Sequence, residues 1–168
     1  MVVAREKFPN LKAIIECDAD GSHQPIDILR LRDDIEICDL LVGSRYLPKS
    51  SISGWSLKRR TFSKLLNIFI PILLGLKIHD VTNGLRKYSI TAIDLLISTH
   101  QENTGFIYLS EQALLISQKG MVLSEIPIHF IERIHGSSSV TAHEITNSIS
   151  GIVKLIQLRV KNLNREIK

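Results

Sequence analysis

Aromatic side chains are scarce in this sequence. Phe, Trp and Tyr make up 5% of its 168 residues, with a single Trp. Proteins that hold single-stranded nucleic acid stack its bases on such rings, so few stacking platforms exist here. The basic residues also interleave with apolar ones instead of forming a continuous basic stripe. Both observations argue against a nucleic-acid partner.

Cysteine is equally rare. Cys17 and Cys38 are the only two, and they have neither a C-x-x-C spacing nor clustered partners. No zinc site is therefore indicated. We predict two buried free thiols, as is usual in a reducing compartment.

Long hydrophobic runs are missing as well. The nearest, Leu65–Leu76, is interrupted by Asn67 and Pro71. Twelve helical residues cover about 18 Å, whereas the hydrocarbon core of a bilayer is about 30 Å thick. The N-terminal sequence MVVAREK is charged too early for a signal peptide. The sequence thus predicts neither a transmembrane helix nor a signal peptide.

What is present is the composition of a globular protein, with 44% hydrophobic and 23% charged residues. A chain of this length forms one domain with a real core. Its net charge of +4 and pI of about 9.2 favour anionic partners. Nucleic acid, phosphate ligands and anionic membranes all fit that charge, so charge alone does not distinguish them.

The hydrophobic pattern predicts an α/β fold. Residues 11–17 predict a buried strand, residues 26–37 a helix and residues 39–43 a second strand. This order is typical of an α/β unit with a parallel strand pair. The remaining pattern predicts a loop at 46–54, helices at 56–76, 89–98 and 105–118, a strand at 121–132, a polar loop at 133–139 and a basic amphipathic helix at 141–168. We therefore divide the domain into a main part, residues 1–140, and a C-terminal helix, residues 141–168.

An acidic pair follows the first predicted strand. Asp18 and Asp20 are separated by one residue, so in an extended chain both carboxylates point to the same side. Hard oxygen ligands at that spacing suit Mg²⁺ or Mn²⁺. Taken alone, the pair is equally typical of a loop or a helix cap.

The longer string around this pair carries a family resemblance. Residues 18–25, DADGSHQP, resemble the D-A-D-x-S-H-x-P motif of dolichol-phosphate mannose synthases, in the second family of glycosyltransferases. The resemblance implies that Asp18 and Asp20 bind the metal that bridges the diphosphate of a nucleotide sugar. It makes Ser22 a further candidate ligand, and Gly21 stands where Leu is usual.

A basic stretch follows in the family's order. Residues 43–46, GSRY, and 54–60, GWSLKRR, resemble the family's G-S-R-Y and G-W-x-x-x-R-R blocks. Guanidinium groups suit phosphate oxygens, and Ser63 lies one turn after Arg59 on the same helical face. The resemblance implies that Arg45, Arg59 and Ser63 contact either the phosphate of the lipid acceptor or the transferring centre. A solvated basic helix start is the alternative.

The apolar run Leu65–Leu76 has two interpretations. It is either a helix of the buried core or an interfacial helix, with the preceding basic residues at lipid headgroups and its apolar turns among the acyl chains. The resemblance favours the interfacial interpretation, because the family's acceptor lies in a membrane.

Three later blocks agree with the family. Residues 80–86, DVTNGLR, resemble D-x-T-x-G-F-R. The resemblance implies that Asp80 lies near the sugar and the acceptor phosphate, that Gly84 allows close backbone approach and that Arg86 adds positive charge as a phosphate contact. Residues 105–111 also resemble a block of the family, which implies that Glu111 lies at an inward-facing position of a helix. The alternative is an ordinary Glu at the protein surface. Residues 125–138 resemble E-V-P-I-x-F followed by R-x-x-G-x-S, with Arg133 as a phosphate contact. Ser139 stands where the family has Lys.

Together the resemblance implies a GT-A-like, Rossmann-type α/β sandwich with a mostly parallel sheet, lacking the first third of the domain. The implied reaction transfers mannose from GDP-mannose to dolichyl or polyprenyl phosphate with inversion, using Mg²⁺ or Mn²⁺. Asp20, Asp80 and Arg59 are the implied catalytic residues. The expected location is peripheral, at the cytoplasmic face of a membrane, with a possible membrane-anchoring partner.

Two alternatives stay open. One is a related transferase that passes glucose or another sugar from a UDP donor to polyprenyl phosphate. The other is a non-catalytic, membrane-associated fragment that binds lipid phosphate or a partner. In either case we expect the exposed edge of a truncated sheet to promote aggregation.

Overall fold

The computed structural model describes residues 1–133 and 150–161. The elements are α1 (Val2–Lys7), β1 (Ala13–Glu16), α2 (Pro25–Asp33), β2 (Leu40–Ser44), β3 (Ser51–Ser53), α3 (Leu57–Leu74), β4 (Arg86–Ser89), α4 (Ile90–Ser98), α5 (Gly105–Gln118), β5 (Leu123–Pro127) and β6 (His129–Ile131). A final helix, α6, covers residues 150–161. The predicted polar loop beyond Arg133 and the rest of the predicted C-terminal helix lie outside the described residues.

Four strands form the main sheet, in the order β1-β4-β2-β5. β4 is antiparallel to β1 and to β2, and β2 is parallel to β5. β1 and β2 therefore run in the same direction, as an α/β unit requires, but β4 lies between them. The predicted parallel pairing of these two strands is wrong for that reason. A mostly parallel sheet is not confirmed, since one of the three strand pairings is parallel.

Helices cover both faces of this sheet. On one face Leu40 and Val42 pack with α3, α4, α5 and α6 in the larger core cluster. On the other face Leu41 packs with Leu31 of α2 and with Phe130 of β6. Every residue of β2 is buried, as expected for a strand enclosed on both sides. The fold is thus a mixed α/β sandwich, consistent with a Rossmann-like glycosyltransferase.

A second sheet is small but important for the site. β3 and β6 pair in parallel, with Ser51 opposite His129 and Ser53 opposite Ile131. The predicted strand at 121–132 is divided at Ile128, so that β5 joins the main sheet and β6 joins β3. The sequence predicted a loop where β3 lies, because its Ser-rich composition resembles a loop.

Helix boundaries agree with the pattern except after α2. The predicted helix at 26–37 ends at Asp33. Ile35 and Ile37, which seemed to continue its apolar face, are 95% and 94% exposed. The thiols also differ from the prediction, since Cys17 is exposed and Cys38 is half-buried.

The long helix α3 is capped at both ends. The hydroxyl of Ser56, just before it, accepts from the backbone N–H of Arg59 at 3.4 Å, and Gly75, just after it, has the left-handed conformation. Ile70 and Leu74 face the core. Its other side exposes a row of apolar residues at helical spacing, which we call the apolar face of α3: Phe62, Leu65, Phe69, Ile72 and Leu73. Within residues 1–133 and 150–161, none of the helices is both long and apolar enough to cross a bilayer.

Candidate active site

The loops that follow β1 and β2 meet at one edge of the sheet. Because these two strands run in the same direction, their carboxyl ends lie at the same edge, where α/β proteins place their ligand sites. The first loop carries Asp18 and Asp20, and the second begins with Arg45. The sequence-predicted residues of these two loops are therefore brought together.

The acidic turn, residues 18–23, holds its two carboxylates differently. Oδ2 of Asp18 lies 3.2 Å from Nε2 of His23. Oδ1 of Asp20 accepts from the backbone N–H of Ser22 at 3.0 Å, and its Oδ2 lies 3.7 Å from Nε of Arg133. Burial would raise the pKa of Asp20, but the hydrogen bonding of Ser22 and the charge of Arg133 outweigh it and keep that pKa below its usual range. Asp20 is therefore a carboxylate at neutral pH.

The donor set of this turn fits a small divalent cation. No three His, Cys, Asp or Glu side chains gather around a common point in the part of the chain that the structure describes. Mg²⁺ needs no such cage, because it commonly uses one or two carboxylates, water and substrate phosphates. The Ser22 hydroxyl, fully buried and without a partner among the described residues, is a further oxygen in the same turn.

Gly84 lies directly against Asp18. A Cβ atom at Gly84 would lie 2.9 Å from Oδ1 and 3.2 Å from Oδ2 of that carboxylate. Any larger residue would therefore displace Asp18. The predicted close approach at Gly84 is present, and the group that it accommodates is the acidic turn.

Arg45 and Asp80 are joined in the interior. Arg45 donates from Nε and Nη2 to the two carboxylate oxygens of Asp80, each at 2.8 Å, and its backbone N–H donates at 3.0 Å. Glu125 fixes Asp80 in turn, by accepting from the backbone N–H groups of His79 and Asp80 at 2.7 and 2.9 Å. Burial would raise the pKa of Asp80, but the charge and hydrogen bonds of Arg45 outweigh it and hold the pKa low.

An aromatic cluster surrounds the two arginines. The guanidinium of Arg45 lies 5.4 Å from the ring centre of Trp55 and 5.5 Å from that of Phe130. The guanidinium of Arg59 also contacts this cluster and lies 4.2 Å from the centre of the Trp55 ring. These distances are within the range of cation–π attraction. Arg59 also donates to Glu132 at 2.6 Å and remains partly exposed.

Ser63 connects the start of α3 to the loop after β2. Its hydroxyl accepts from the Tyr46 hydroxyl at 2.7 Å. Arg59 and Ser63 are one turn apart on α3, as the sequence predicted. The basic start of α3 and the G-S-R-Y segment thus form one surface.

Comparison with known proteins agrees with this geometry. No protein-family model matches the chain. The chain is 32% identical over 137 residues to a polyprenol monophosphomannose synthase of Mycolicibacterium smegmatis, which covers 81% of the chain and 52% of that relative. It is 28% identical over 141 residues to an undecaprenyl-phosphate mannosyltransferase of Micrococcus luteus, which covers 84% of the chain and 58% of that relative.

The chain is homologous to these two polyprenol-phosphate mannosyltransferases. It spans little more than half the length of the two relatives. The family resemblance drawn from the motifs is therefore confirmed, while the predicted absence of the first third of the domain stays a prediction.

Two predicted site residues, Arg86 and Glu111, contact backbone groups of the protein itself. Arg86 is fully buried, and its guanidinium donates to the backbone carbonyls of Val81, Asn83 and Leu109 at 2.6–2.9 Å. Its predicted contact with phosphate stays a prediction, and what the structure shows is an anchor for the 80–86 loop. Glu111 does face inward, where it accepts from the backbone of residues 102 and 103.

Sequence reasoning missed His23, Glu125 and Glu132. All three belong to blocks that carried the resemblance or directly follow one, but no role was assigned to them. His23 contacts Asp18, Glu125 holds the backbone of Asp80, and Glu132 pairs with Arg59. The contacts of Glu125 and Glu132 join residues 45 and 73 positions apart, so no local pattern reveals them. The contact of His23 with Asp18 is local, only five residues apart, and the motif string that contains both residues could have indicated it.

Proposed function

We propose that this chain contains the metal-binding and acceptor-binding part of a polyprenyl-phosphate mannosyltransferase, which transfers mannose from GDP-mannose to dolichyl or another polyprenyl phosphate. One observation carries the proposal. Glu132 pairs with Arg59 at 2.6 Å, and the next residue, Arg133, lies 3.7 Å from Asp20. The end of β6 therefore connects the acidic turn to the basic start of α3, as a transfer between a metal-bound diphosphate and a lipid phosphate requires.

In this proposal Asp18 and Asp20 hold Mg²⁺ or Mn²⁺, with Ser22 as a further oxygen ligand. The metal's chemistry, when bound, is to neutralise charge on the departing diphosphate. The Ser22 backbone N–H holds the carboxylate of Asp20 in place. Arg133 adds a positive charge beside that carboxylate.

The acceptor phosphate is assigned to Arg59 and Ser63, with Arg133 on the opposite side. Arg59 is partly exposed, so its guanidinium is available to a ligand. An oxygen of the acceptor phosphate attacks the anomeric carbon as the bond to the diphosphate breaks, and the bonding electrons leave with GDP. This direct displacement inverts the anomeric configuration.

No strong general base is needed, since the acceptor phosphate is already an anion. This agrees with the state of Asp80, whose carboxylate is buried and paired with Arg45. We therefore assign Asp80 a positioning role. It fixes Arg45, and Arg45 and Arg59 both lie close to the Trp55 ring. Holding the acceptor in line with the donor contributes much of the rate gain in this type of reaction.

The apolar face of α3 supports a lipid acceptor. Phe69 and Ile72 are 57% and 68% exposed, and the basic residues of the same helix lie about one to four turns before them. A helix with this arrangement lies in the plane of a membrane interface, with its basic end among the headgroups. We propose peripheral attachment through α3 at the cytoplasmic face, which places Arg59 and Ser63 at the depth of a lipid phosphate.

The proposal is tested by supplying the native protein with polyprenyl phosphate, Mn²⁺ and either labelled GDP-mannose or labelled UDP-glucose. We expect labelled lipid from GDP-mannose only. Arg59→Ala lowers transfer by about 100-fold, as for other donors that stabilise transition-state charge, whereas the neighbouring Arg60→Ala changes it little. Label from UDP-glucose alone, or from neither donor, would contradict the proposal.

A further inference from the structure

His23 is enclosed next to the acidic turn. Its side chain is fully buried, while the Asp18 carboxylate that it contacts is 56% exposed. The ring lies edge-on to Phe130, with 5.4 Å between the ring centres. The imidazole is thus held by packing on one side and points Nε2 at a carboxylate that reaches the surface.

The hydrogen on this imidazole can be assigned from its partners. An ionised carboxylate only accepts hydrogen bonds, so Nε2 of His23 carries the hydrogen of the 3.2 Å contact with Asp18. Nδ1 is buried and has no partner among the described residues. A ring nitrogen without a hydrogen is less costly to bury unpaired than an N–H, which agrees with Nε2 as the donor to Asp18.

The Asp18 carboxylate is also confined from its other side. Gly84 leaves no room for a Cβ, which would come within 2.9 Å of Oδ1. Asp18 therefore lies between a hydrogen-bond donor and a backbone wall. A carboxylate that is fixed in this way loses less rotational freedom when it binds a ligand.

We propose that His23 is a positioning residue that orients Asp18 for a divalent cation. The inference rests on the proposed metal at Asp18 and Asp20, and it goes further by naming the residue that presets one of the ligands. Groups that hold metal ligands in place typically contribute 10–100-fold to metal affinity. His23 touches neither the cation nor the sugar, and it acts only through Asp18.

The experiment measures the dissociation constant of Mn²⁺ by electron paramagnetic resonance, on the native protein and on three variants. His23→Phe keeps a flat ring but removes the donor, and it weakens Mn²⁺ binding by about 10–100-fold. His23→Gln restores an amide N–H close to the position of Nε2, and its affinity stays within about threefold of the native value. Gly84→Ala presses a methyl group onto Asp18 and weakens binding without any change at His23.

A purely structural role would change thermal stability and would not follow the presence of a donor. Thermal unfolding of each variant is therefore recorded beside Mn²⁺ affinity, and transfer is measured over a range of Mn²⁺ concentrations. We expect the His23→Phe variant to regain transfer at saturating Mn²⁺, because only the affinity is lowered.

Four results would overturn the inference. If His23→Phe binds Mn²⁺ with native affinity, His23 has no positioning role, although the metal site itself is not contradicted. If His23→Gln binds Mn²⁺ as weakly as His23→Phe does, the hydrogen bond is not the cause of the higher native affinity. If His23→Phe does not fold, native affinity in Gly84→Ala contradicts the orientation of Asp18. If the native protein binds no Mn²⁺ in the presence of GDP, the proposed metal site itself fails, and this inference fails with it.

Discussion

Arg45 and Asp80 form a bidentate ion pair that is buried from solvent. Nε and Nη2 of the guanidinium each lie 2.8 Å from a carboxylate oxygen, and the two side chains are 7% and 0% exposed. Paired in this way, Asp80 is not a free base. Its charge keeps Arg45 in place among Tyr46, Trp55 and Phe130.

The first prediction follows from this pair. Asp80→Asn leaves the buried charge of Arg45 without its counter-ion, and removing one partner of such a pair typically costs about 3–5 kcal/mol. We expect the urea midpoint of unfolding to fall accordingly. Arg32→Ala, which breaks the exposed contact with Asp33, is the matched control and should leave the midpoint unchanged. Equal midpoints for the two variants would refute the buried pairing.

The free energy of unfolding should also depend on pH. Burial would raise the pKa of Asp80, but Arg45 outweighs it, so the folded-state pKa lies below the unfolded value of about 3.9. The contribution of Asp80 is complete above about pH 3.9 and is lost as the pH falls through the lower, folded-state pKa. We therefore expect the free energy of unfolding to decline on the acid side of about pH 4, and the decline to be less steep in Asp80→Asn.

The two thiols should react at different rates. Burial and nearby carboxylates raise the pKa of Cys38 to about 11, so that little thiolate forms at neutral pH. Cys17 is exposed. Labelling with iodoacetamide at about pH 7.5, followed by peptide mass spectrometry, should modify Cys17 first. Faster modification of Cys38 would show that the segment before β2 is not packed as described.

The apolar face of α3 predicts binding to membranes. Replacing Phe69 and Ile72 together by Ser removes two exposed apolar side chains without touching the core. We expect at least a tenfold loss of binding to vesicles with anionic lipids, since each buried apolar side chain contributes about 1.5–3 kcal/mol. The double change of Ile35 and Ile37 to Ser, at even more exposed positions in the segment after α2, should leave binding unchanged. Equal binding by both double variants would place the membrane contact elsewhere.

Part of this fold could be predicted from the sequence. Helix α5 begins and ends at the predicted residues, and its 14 residues contain no proline that would interrupt it. Strand β4 escaped prediction, since it is four residues long and starts with Arg86. From the sequence alone, an arginine is expected at the protein surface. This one can be buried because three backbone carbonyl groups accept its hydrogen bonds, and those contacts are known only from the fold.

The candidate site, like the fold, could be predicted only in part from the sequence. The acidic pair and the two arginines were predicted because they lie in motifs that resemble those of the family. The partner of Arg45 was not, as Asp80 is 35 residues away in the chain. Insertion of β4 between β1 and β2 brings the 80–86 loop beside the acidic turn, and no local pattern encodes that order.

The central claim is that the acidic turn holds the metal for sugar transfer to a lipid phosphate. The most direct measurement is Mn²⁺-dependent transfer of labelled mannose from GDP-mannose to polyprenyl phosphate by the native protein, by Asp20→Asn and by Asp33→Asn. We predict that Asp20→Asn lowers transfer by about 100-fold or more, while Asp33→Asn, at the exposed end of α2, keeps it. Transfer that persists in Asp20→Asn, or that is unchanged when EDTA removes the metal, would contradict the account.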